Sequence, residues 1–392
     1  MRNRRVLTLN TGSSSLKFSV YETRGETENP LLTGKLERIG ACQSHFEAVD
    51  HKGTKRAGHL VSVSDHDGAL SLLLDRLPSL GAGSIEAVGH RIVQGGERHR
   101  GPELITPALM KELHELYPLD PPHLPAALKG IEAAQRLGDD IPQVACFDTA
   151  FHRTMPEVAQ QLPLPRELTH KTGLLRYGFH GLSYEFIMGE LKMADPKMAR
   201  GKVIIAHLGN GASMAAVENG KSVDTTMGFT PAGGLMMGSR TGDLDPGVID
   251  YLLREKKITP ESLNSLIYQR SGLKGVSGIS SDMRDLLENS DPNARQAVDL
   301  FVYQARKCLG ALVAVLDGVE TIVFTGGIGE NAAAPRAAIC AGFAHLGLEI
   351  DARRNTQHRD VISTYGSKIC VRVMPTNEEV VIARHTSRLA FA

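Results

Sequence analysis

The sequence predicts an α/β protein of two domains built on a duplicated unit. Three observations carry this. The chain has 392 residues, more than one ordinary core spans. Strand-like apolar runs alternate with helical spacing along it. A strand-turn-strand stretch near the start returns at constant register near the middle.

That stretch is VLTLNTGSSSLKFSVY, from Val6 to Tyr21. It begins with the apolar alternation of a strand, breaks at a small-residue turn and resumes as LKFSV. The turn gathers Asn10, Thr11, Gly12, Ser13, Ser14, Ser15 and Lys17. Backbone N–H groups, hydroxyls and one cation there suit a small anion such as phosphate. Ser and Gly also gather in turns for local reasons, so a plain polar hairpin fits the same residues. The second copy, VIIAHLGNGASMAAVENG, sets Val203, Gly209 and Val217 opposite Val6, Gly12 and Val20. Two such units starting two halves predict turns that face each other across a cleft.

Lysine plus arginine number 44 and aspartate plus glutamate 44, with no basic block, so the chain lacks the electrostatic footprint of a nucleic-acid binder. The five cysteines, Cys42, Cys146, Cys308, Cys340 and Cys370, are scattered and read as buried thiols of a reducing compartment, without a disulfide frame or zinc site. MRNRR is basic, but the apolar run behind it is cut at Asn10 and has no cleavage pattern, which argues against a signal peptide. No apolar run reaches membrane-spanning length, so a soluble cytoplasmic protein is expected, with no membrane partner.

Residues 31 to 63 read as short strands, and DHDGALSLLLDRL as a helix with an aspartate at its start. IEAVGHRIVQGG is strand-like and carries His90 and Arg91 at its centre, the latter a surface charge or a functional residue. PLDPPHLPAALKGIEAAQRLG brings His123 to the start of a helix, where an imidazole caps, faces solvent or meets substrate. QVACFDTAFHRTMP is an apolar strand delivering Asp148 and Thr149 to a loop, a position for metal or substrate chemistry or for a helix N-cap. The first domain is expected over 1–150.

RYGFHGLSYEFI sets His180 between glycines ahead of a helix, and the repeated unit with HLGNG follows. DTTMGFTPAGGLMMGSRTGDLDPGVIDYLL has too many glycines for ordinary core packing and reads as a shaped loop around Arg240, Asp243 and Asp245 that enters a helix at Pro246. Helices follow over PESLNSLIYQ and ARQAVDLFVYQARKCLGALVAVL. TIVFTGGIGEN is a buried strand, a glycine turn and a helix start, a cradle for a nucleotide's phosphates. KICVRVMPTNEEVVIARHTSRL is a strand and a helix whose first turn holds Glu378 and Glu379, which complement the helix dipole or reach a metal through water. The P-loop, dinucleotide, zinc-protease and CxxC patterns are all absent, so any phosphate site here is neither P-loop nor Rossmann.

NTGSSSLKF, GHRIVQGG, FDTAFH, RYGFHG, AHLGNGAS, DTTMGFTP, GLMMGSRTGDLDP, FTGGIGEN and PTNEE, in that order and nearly end to end, resemble the signature blocks of the acetate kinases. The resemblance implies the actin, Hsp70 and sugar-kinase superfamily. Its plan is two duplicated actin-like, ribonuclease H-like α/β domains as lobes around an ATP cleft, usually in a homodimer. The lobes would be 1–150 with a returning C-terminal helix 384–392, and 151–383. By resemblance, Asn10 and Glu378 stand near Mg²⁺ (or Mn²⁺), and Ser13, Ser15 and Lys17 stand about the phosphates. Arg91 and Arg240 clamp acetate and the migrating phosphoryl group, His180 and His123 donate to it, and Asp148 is the active-site carboxylate. His207, Leu208, Gly209, Asn210 and Gly211, then Asp282, Met283 and Arg284, then Gly327, Ile328, Gly329, Glu330 and Asn331 match the nucleotide-binding segments. Val93, Phe179 and Pro231 match the wall of the acyl pocket. The chain departs from the family at DPPHLP, where APLHNP is usual: Pro122 replaces a pocket leucine and Leu124 an asparagine. Gly233 replaces a common glutamate.

The implied reaction is ATP plus acetate giving ADP and acetyl phosphate, reversibly. A carboxylate acceptor is already ionised at neutral pH, so no general base is required. The difficulty is repulsion between two anions, about 4 kcal/mol per charge pair at roughly 4 Å in a surface-like dielectric. Two arginines and a divalent ion answer it, and Asp148 is expected to orient an arginine or the hydrated metal. A propionate or butyrate kinase is the nearest alternative, since one methylene in an apolar pocket is worth only about 1–3 kcal/mol. An actin-like ATPase with no metabolite acceptor is the alternative of another class, but it would not need Arg91, His180, Asp148 and Arg240 together.

Overall fold

Strands β1 (Arg4–Thr11), β2 (Ser15–Arg24), β3 (Thr27–Glu37), β4 (Ser44–Asp50), β5 (Lys55–Val61), β6 (Ala87–Ile92), β7 (Glu103–Leu104) and β8 (Gln143–Phe147) form one sheet in the order β5-β4-β3-β2-β1-β6-β8-β7. The computed structural model that carries this sheet describes residues 3–12, 15–24, 27–121 and 123–392. The sheet belongs to the first of two units, Met1–Ala150 with Asn377–Ala392. Strand β1 is antiparallel to β2, with Asn10 opposite Lys17, and parallel to β6, with Leu9 opposite His90. Strand β6 is parallel to β8.

The alternation read in β1 and β2 sends Leu7, Leu9, Leu16, Phe18 and Val20 into one core with Leu70 and Leu73 of the helix His66–Arg76. That helix starts where expected, with the Asp65 side chain accepting from the Gly68 N–H at 2.9 Å. A second core under β6 and β8 joins Ile92, Phe147, Leu124, Leu128 and Ile131, the last three from the helix Leu124–Ala134. The C-terminal helix Glu378–Ala390 packs on β1, β6 and β8. Its approach is close: a Cβ on Gly89 would stand 2.5 Å from Ile382 Cγ2.

The second unit, Phe151–Thr376, holds strands β9 (Lys202–Leu208), β10 (Ala212–Glu218), β11 (Lys221–Thr225), β12 (Thr321–Thr325) and β13 (Cys370–Val373) in the order β11-β10-β9-β12-β13. Its core joins Tyr184, Ile187 and Leu191 of the helix Gly181–Ala194 to Val203, Ile205, Val217 and Val323 of the sheet. Strand β9 is antiparallel to β10 and parallel to β12, which is parallel to β13. The run β3-β2-β1-β6-β8 has the same order and sense, so both units carry the ribonuclease H-like, actin-like arrangement, and the duplication reaches well beyond three matched residues.

Two expectations are corrected. The return to the first unit begins at Asn377 instead of 384, because the whole helix Glu378–Ala390 packs on the first sheet. Cys42 is exposed, since it lies in the polar turn between β3 and β4; Cys146 and Cys340 are buried, and Cys308 and Cys370 half-buried.

Candidate functional site

In the first unit the chemistry gathers around Arg91. Neighbouring residues of a strand point to opposite faces. His90 goes one way, its Nε2 2.7 Å from Gln143 Oε1, and burial pushes its pKa down to about 4. Arg91 goes the other way and meets Asp148, which stands one residue beyond β8 with its backbone N–H donating to Ile92 O at 2.9 Å. Arg91 Nε donates to both carboxylate oxygens at 3.0 and 3.1 Å, and Nη2 to Oδ2 at 2.5 Å. Nη1 donates to Asn10 Oδ1 at 3.0 Å, while Asn10 Nδ2 donates to Glu378 Oε2 at 3.2 Å and Glu379 Oε1 at 3.4 Å. Asp148 is therefore not a helix N-cap and Arg91 not a surface charge.

The electrostatics follow from burial and company. Burial pushes the Asp148 carboxyl above the usual range, against the pull of Arg91 and, more weakly, His123. Burial also works against the Arg91 cation, but Asp148, Glu378 and Glu379 outweigh it and hold the guanidinium charged more firmly than an ordinary arginine. One cation among three carboxylates leaves the cluster short of positive charge. Among the described residues no group of three or more His, Cys, Asp or Glu is arranged to hold a metal ion. The donors at hand are hard oxygens, the Asn10 carboxamide and the Glu378 carboxylate. They fit Mg²⁺, which takes most of its ligands from water and phosphate and only one or two from carboxylates.

His123 stands at the N-cap position of the helix Leu124–Ala134 but makes no side-chain cap bond. Its Nδ1 lies 2.7 Å from Asp120 Oδ1, while Asp120 Oδ2 is buried with no hydrogen-bond partner among the described residues. Ser15 accepts the Gly12 N–H at its carbonyl, 2.8 Å away, and Lys17 is exposed on β2. Val93 is buried just past β6. Ser13, Ser14 and Pro122 lie outside the described residues.

In the second unit the glycine segments come together. Gly326 has φ +76°, and a Cβ there would stand 2.8 Å from Leu208 O, so the turn after β12 lies against the turn after β9. A Cβ on Gly209 would stand 3.7 Å from the Gly327 N. A Cβ on Gly238 would stand 1.9 Å from Asn210 Oδ1 and 3.2 Å from Ser281 O, which brings the Asp282 segment to the same place. Asp282 caps the helix Met283–Glu288 through the Arg284 N–H at 2.8 Å and pairs with the exposed Arg284 side chain at 3.2 Å; Met283 is buried. Within the short helix Gly326–Asn331, Ile328 and Gly329 are buried and Asn331 Nδ2 donates to Gly327 O at 3.0 Å. Glu330 Oε1 accepts the Gly326 N–H at 2.9 Å, so the first donor of this turn is held by the chain's own carboxylate.

His180 sits in the left-handed region at φ 61°, after Gly178 at φ 73°. A Cβ on Gly178 would overlap Thr225 and His152, which is why the YGFHG stretch needs its first glycine. His180 stacks on His207, ring centroids 4.3 Å apart. A Cβ on Gly211 would lie 3.2 Å from His180 Nε2 and 3.8 Å from Arg240 Nη1, so imidazole and guanidinium border one small space. Arg240 Nη1 donates to Pro231 O at 3.1 Å, and Phe179 is buried with its carbonyl 3.0 Å from His152 Nε2. At Gly233 a Cβ would lie 3.5 Å from Asp243 Oδ1, so a glutamate there would crowd a second carboxylate.

Several partners escaped the sequence reading. Asp120 was readable as an acid three residues before His123. Ser183, Ser213 and Arg336 carry no local signal. Arg336 is fully buried, donates to Gly329 O at 2.8 Å and Glu330 O at 2.9 Å, and has its pKa pushed down to about 10 by burial.

A model of the acetokinase family matches residues 5–384. An acetate kinase of Rhodopseudomonas palustris (strain ATCC BAA-98 / CGA009) is 45% identical over 392 residues, covering 98% of this chain and 98% of that one. The solved acetate kinase of Porphyromonas gingivalis superposes with a TM-score of 0.88 at 38% identity, over 98% of this chain and 99% of that one. A propionate kinase from Francisella tularensis subsp. tularensis SCHU S4 gives 0.92 at 34% identity, over 98% and 100%.

Proposed function

Since the chain belongs to the acetokinase family, phosphotransferases with a carboxylate acceptor and ATP as substrate, we propose that it transfers the γ-phosphoryl group of ATP to acetate, reversibly, giving acetyl phosphate and ADP. The observation that carries the residue assignment is the buried Arg91–Asp148 pair. A guanidinium held at three donor contacts by a carboxylate is aligned before substrate arrives, so little reorganisation is needed when charge builds on the transferring group.

On this reading Arg91 neutralises and orients the acetate carboxylate, and Asp148 holds Arg91 in place without taking a proton. Arg240 neutralises the phosphoryl group and His180 donates to one of its equatorial oxygens in a loose, in-line transfer. The segments His207–Gly211, Asp282–Arg284 and Gly327–Asn331, with Ser13, Ser15 and Lys17, take the nucleotide and its phosphates. Val93, Phe179 and Pro231 line the acyl pocket, and His123, tied to Asp120, is a second donor. Asn10 and Glu378 would hold Mg²⁺, which offsets the charge of the β- and γ-oxygens when bound.

We place the reaction in the cytoplasm, where ATP is made and the five free cysteines stay thiols. No helix among the described residues is long and apolar enough to cross a membrane. A homodimer is supported by the helices Pro246–Arg254 and Pro260–Gln269, which bury none of their own residues; Val248, Tyr251 and Leu253 of the first are exposed, as is Leu244 just before it.

The test is a hydroxylamine trap for acyl phosphate with ATP and Mg²⁺ over acetate, propionate and butyrate. Acyl hydroxamate forming fastest with acetate is expected. None with any acid overturns the function, and a preference for a longer acid overturns the acyl assignment.

A further inference from the structure

His180 Nδ1 lies 2.8 Å from Ser213 Oγ, and the Tyr184 hydroxyl makes a short hydrogen bond to that same oxygen. Ser213 and Tyr184 are both fully buried, so water does not compete for either hydroxyl. His207 is served alike: its Nδ1 lies 2.8 Å from Ser183 Oγ, which lies 2.9 Å from Thr376 Oγ1. Two stacked imidazoles thus each turn Nδ1 to a seryl hydroxyl.

A hydroxyl both donates and accepts, so its direction is set by what stands behind it. The phenol, with an ordinary pKa near 10, is the more acidic hydroxyl and the better donor. With Tyr184 donating to Ser213 Oγ, the seryl proton is left for His180 Nδ1. We propose that Ser213, fed by Tyr184, is a positioning residue that holds His180 as the neutral tautomer with its proton on Nε2. The surroundings favour a neutral ring. His207 stacks on one face, Arg240 borders the Nε2 edge across Gly211, and His152, beyond Tyr184 at 5.5 Å between ring centroids, is itself kept neutral by burial. A guanidinium bordering that edge disfavours a second positive charge on the ring.

The consequence rests on the proposed role of His180 as donor to the phosphoryl group. A neutral ring with Nε2–H donates without first taking up a proton, so its contribution persists as pH rises through the imidazole range. Without the seryl donor the proton can settle on Nδ1, and Nε2 donates reliably only when the ring is protonated.

The test is ¹⁵N-histidine NMR of the full-length protein at pH 7.5 without substrate, in wild type, Ser213→Ala, Ser213→Thr and Tyr184→Phe. Wild type is expected to show His180 with bare Nδ1 and protonated Nε2. Ser213→Ala is expected to give mixed tautomers, Ser213→Thr to restore the wild-type signature, and Tyr184→Phe to lie between. In turnover, Ser213→Ala is expected to lose up to about 100-fold at pH 8.5 and less at pH 6, within the range for removing one transition-state donor. A wild-type ring that is imidazolium or protonated on Nδ1 overturns the proposal, as does an unchanged signature in Ser213→Ala. If that variant does not fold, an unchanged signature in Tyr184→Phe does the same. The NMR result is independent of catalysis: failure to form acyl phosphate would remove the function and leave the tautomer assignment standing.

Discussion

Replacing Asp148 by Asn keeps the shape of the side chain and removes its charge. In the native pair Arg91 presents Nε and Nη2 to two carboxylate oxygens, whereas an amide offers one oxygen and turns an NH₂ against a guanidinium N–H. Breaking a buried ion pair from one side costs about 3–5 kcal/mol. Two features place this case at the lower end. Glu378 stays 3.8 Å from Arg91 Nε as a substitute counter-charge, and burial, which raises the Asp148 carboxyl, penalises a neutral amide less. A loss of about 3 kcal/mol in a unit of this size lowers its melting temperature by roughly 6–12 °C. Arg91, pulled towards Glu378, loses its alignment, and a misplacement of about 1 Å costs on the order of 100-fold in turnover. Thermal unfolding gives the first quantity and initial rates across pH the second. Because acetate arrives ionised, the acidic limb of the rate profile is expected to stay where it is while the plateau falls. A variant that loses one titrating limb would make Asp148 a proton acceptor, and one with wild-type rate and stability would deny the pair any role.

Arg91→Ala and Arg240→Ala are each expected to lower turnover by about 10³–10⁵-fold, the range for a cation that meets transferring phosphoryl charge; near-normal turnover in both removes them from the chemistry. His90 and His152 are held neutral by burial, each pushed down to about 4 from an ordinary 6.5. Their depressed values make stability fully present above about pH 6.5 and lost as pH falls towards 4, by about 1.4 kcal/mol per pH unit for each. Urea midpoints measured at pH 7, 6 and 5 should fall stepwise; a constant midpoint rules this linkage out.

The elements were largely legible because local rules govern them. Pro260 and Gln269 bound their helix as the pattern predicts, with Thr259 as its cap, and β1 and β2 pair over the two runs whose apolar alternation predicts strands. The partners of the candidate site's side chains were not legible. Ser183 meets Thr376 across 193 positions and Asn10 meets Glu378 across 368, and no window along the chain holds both members of such a pair. Motif matching named Asn10, Arg91, His180 and Glu378 without indicating which nitrogen of His180 faces a hydroxyl or which oxygens hold Arg91. Arg336 shows the limit most clearly: an arginine in a helix reads as a surface charge, and only the fold places backbone carbonyls around it.

The helix Glu378–Ala390 covers one face of the first sheet although it is made after the whole second unit. During synthesis the second unit, one continuous stretch, has all its residues once Thr376 has emerged. The N-terminal portion must meanwhile wait with β1 and β6 bare on one face and Arg91 lacking its outer carboxylates. A chain stopped at Thr376 should therefore yield to protease first within residues 1–150, while 151–376 resists; equal resistance of both would mean the N-terminal portion closes without its last helix.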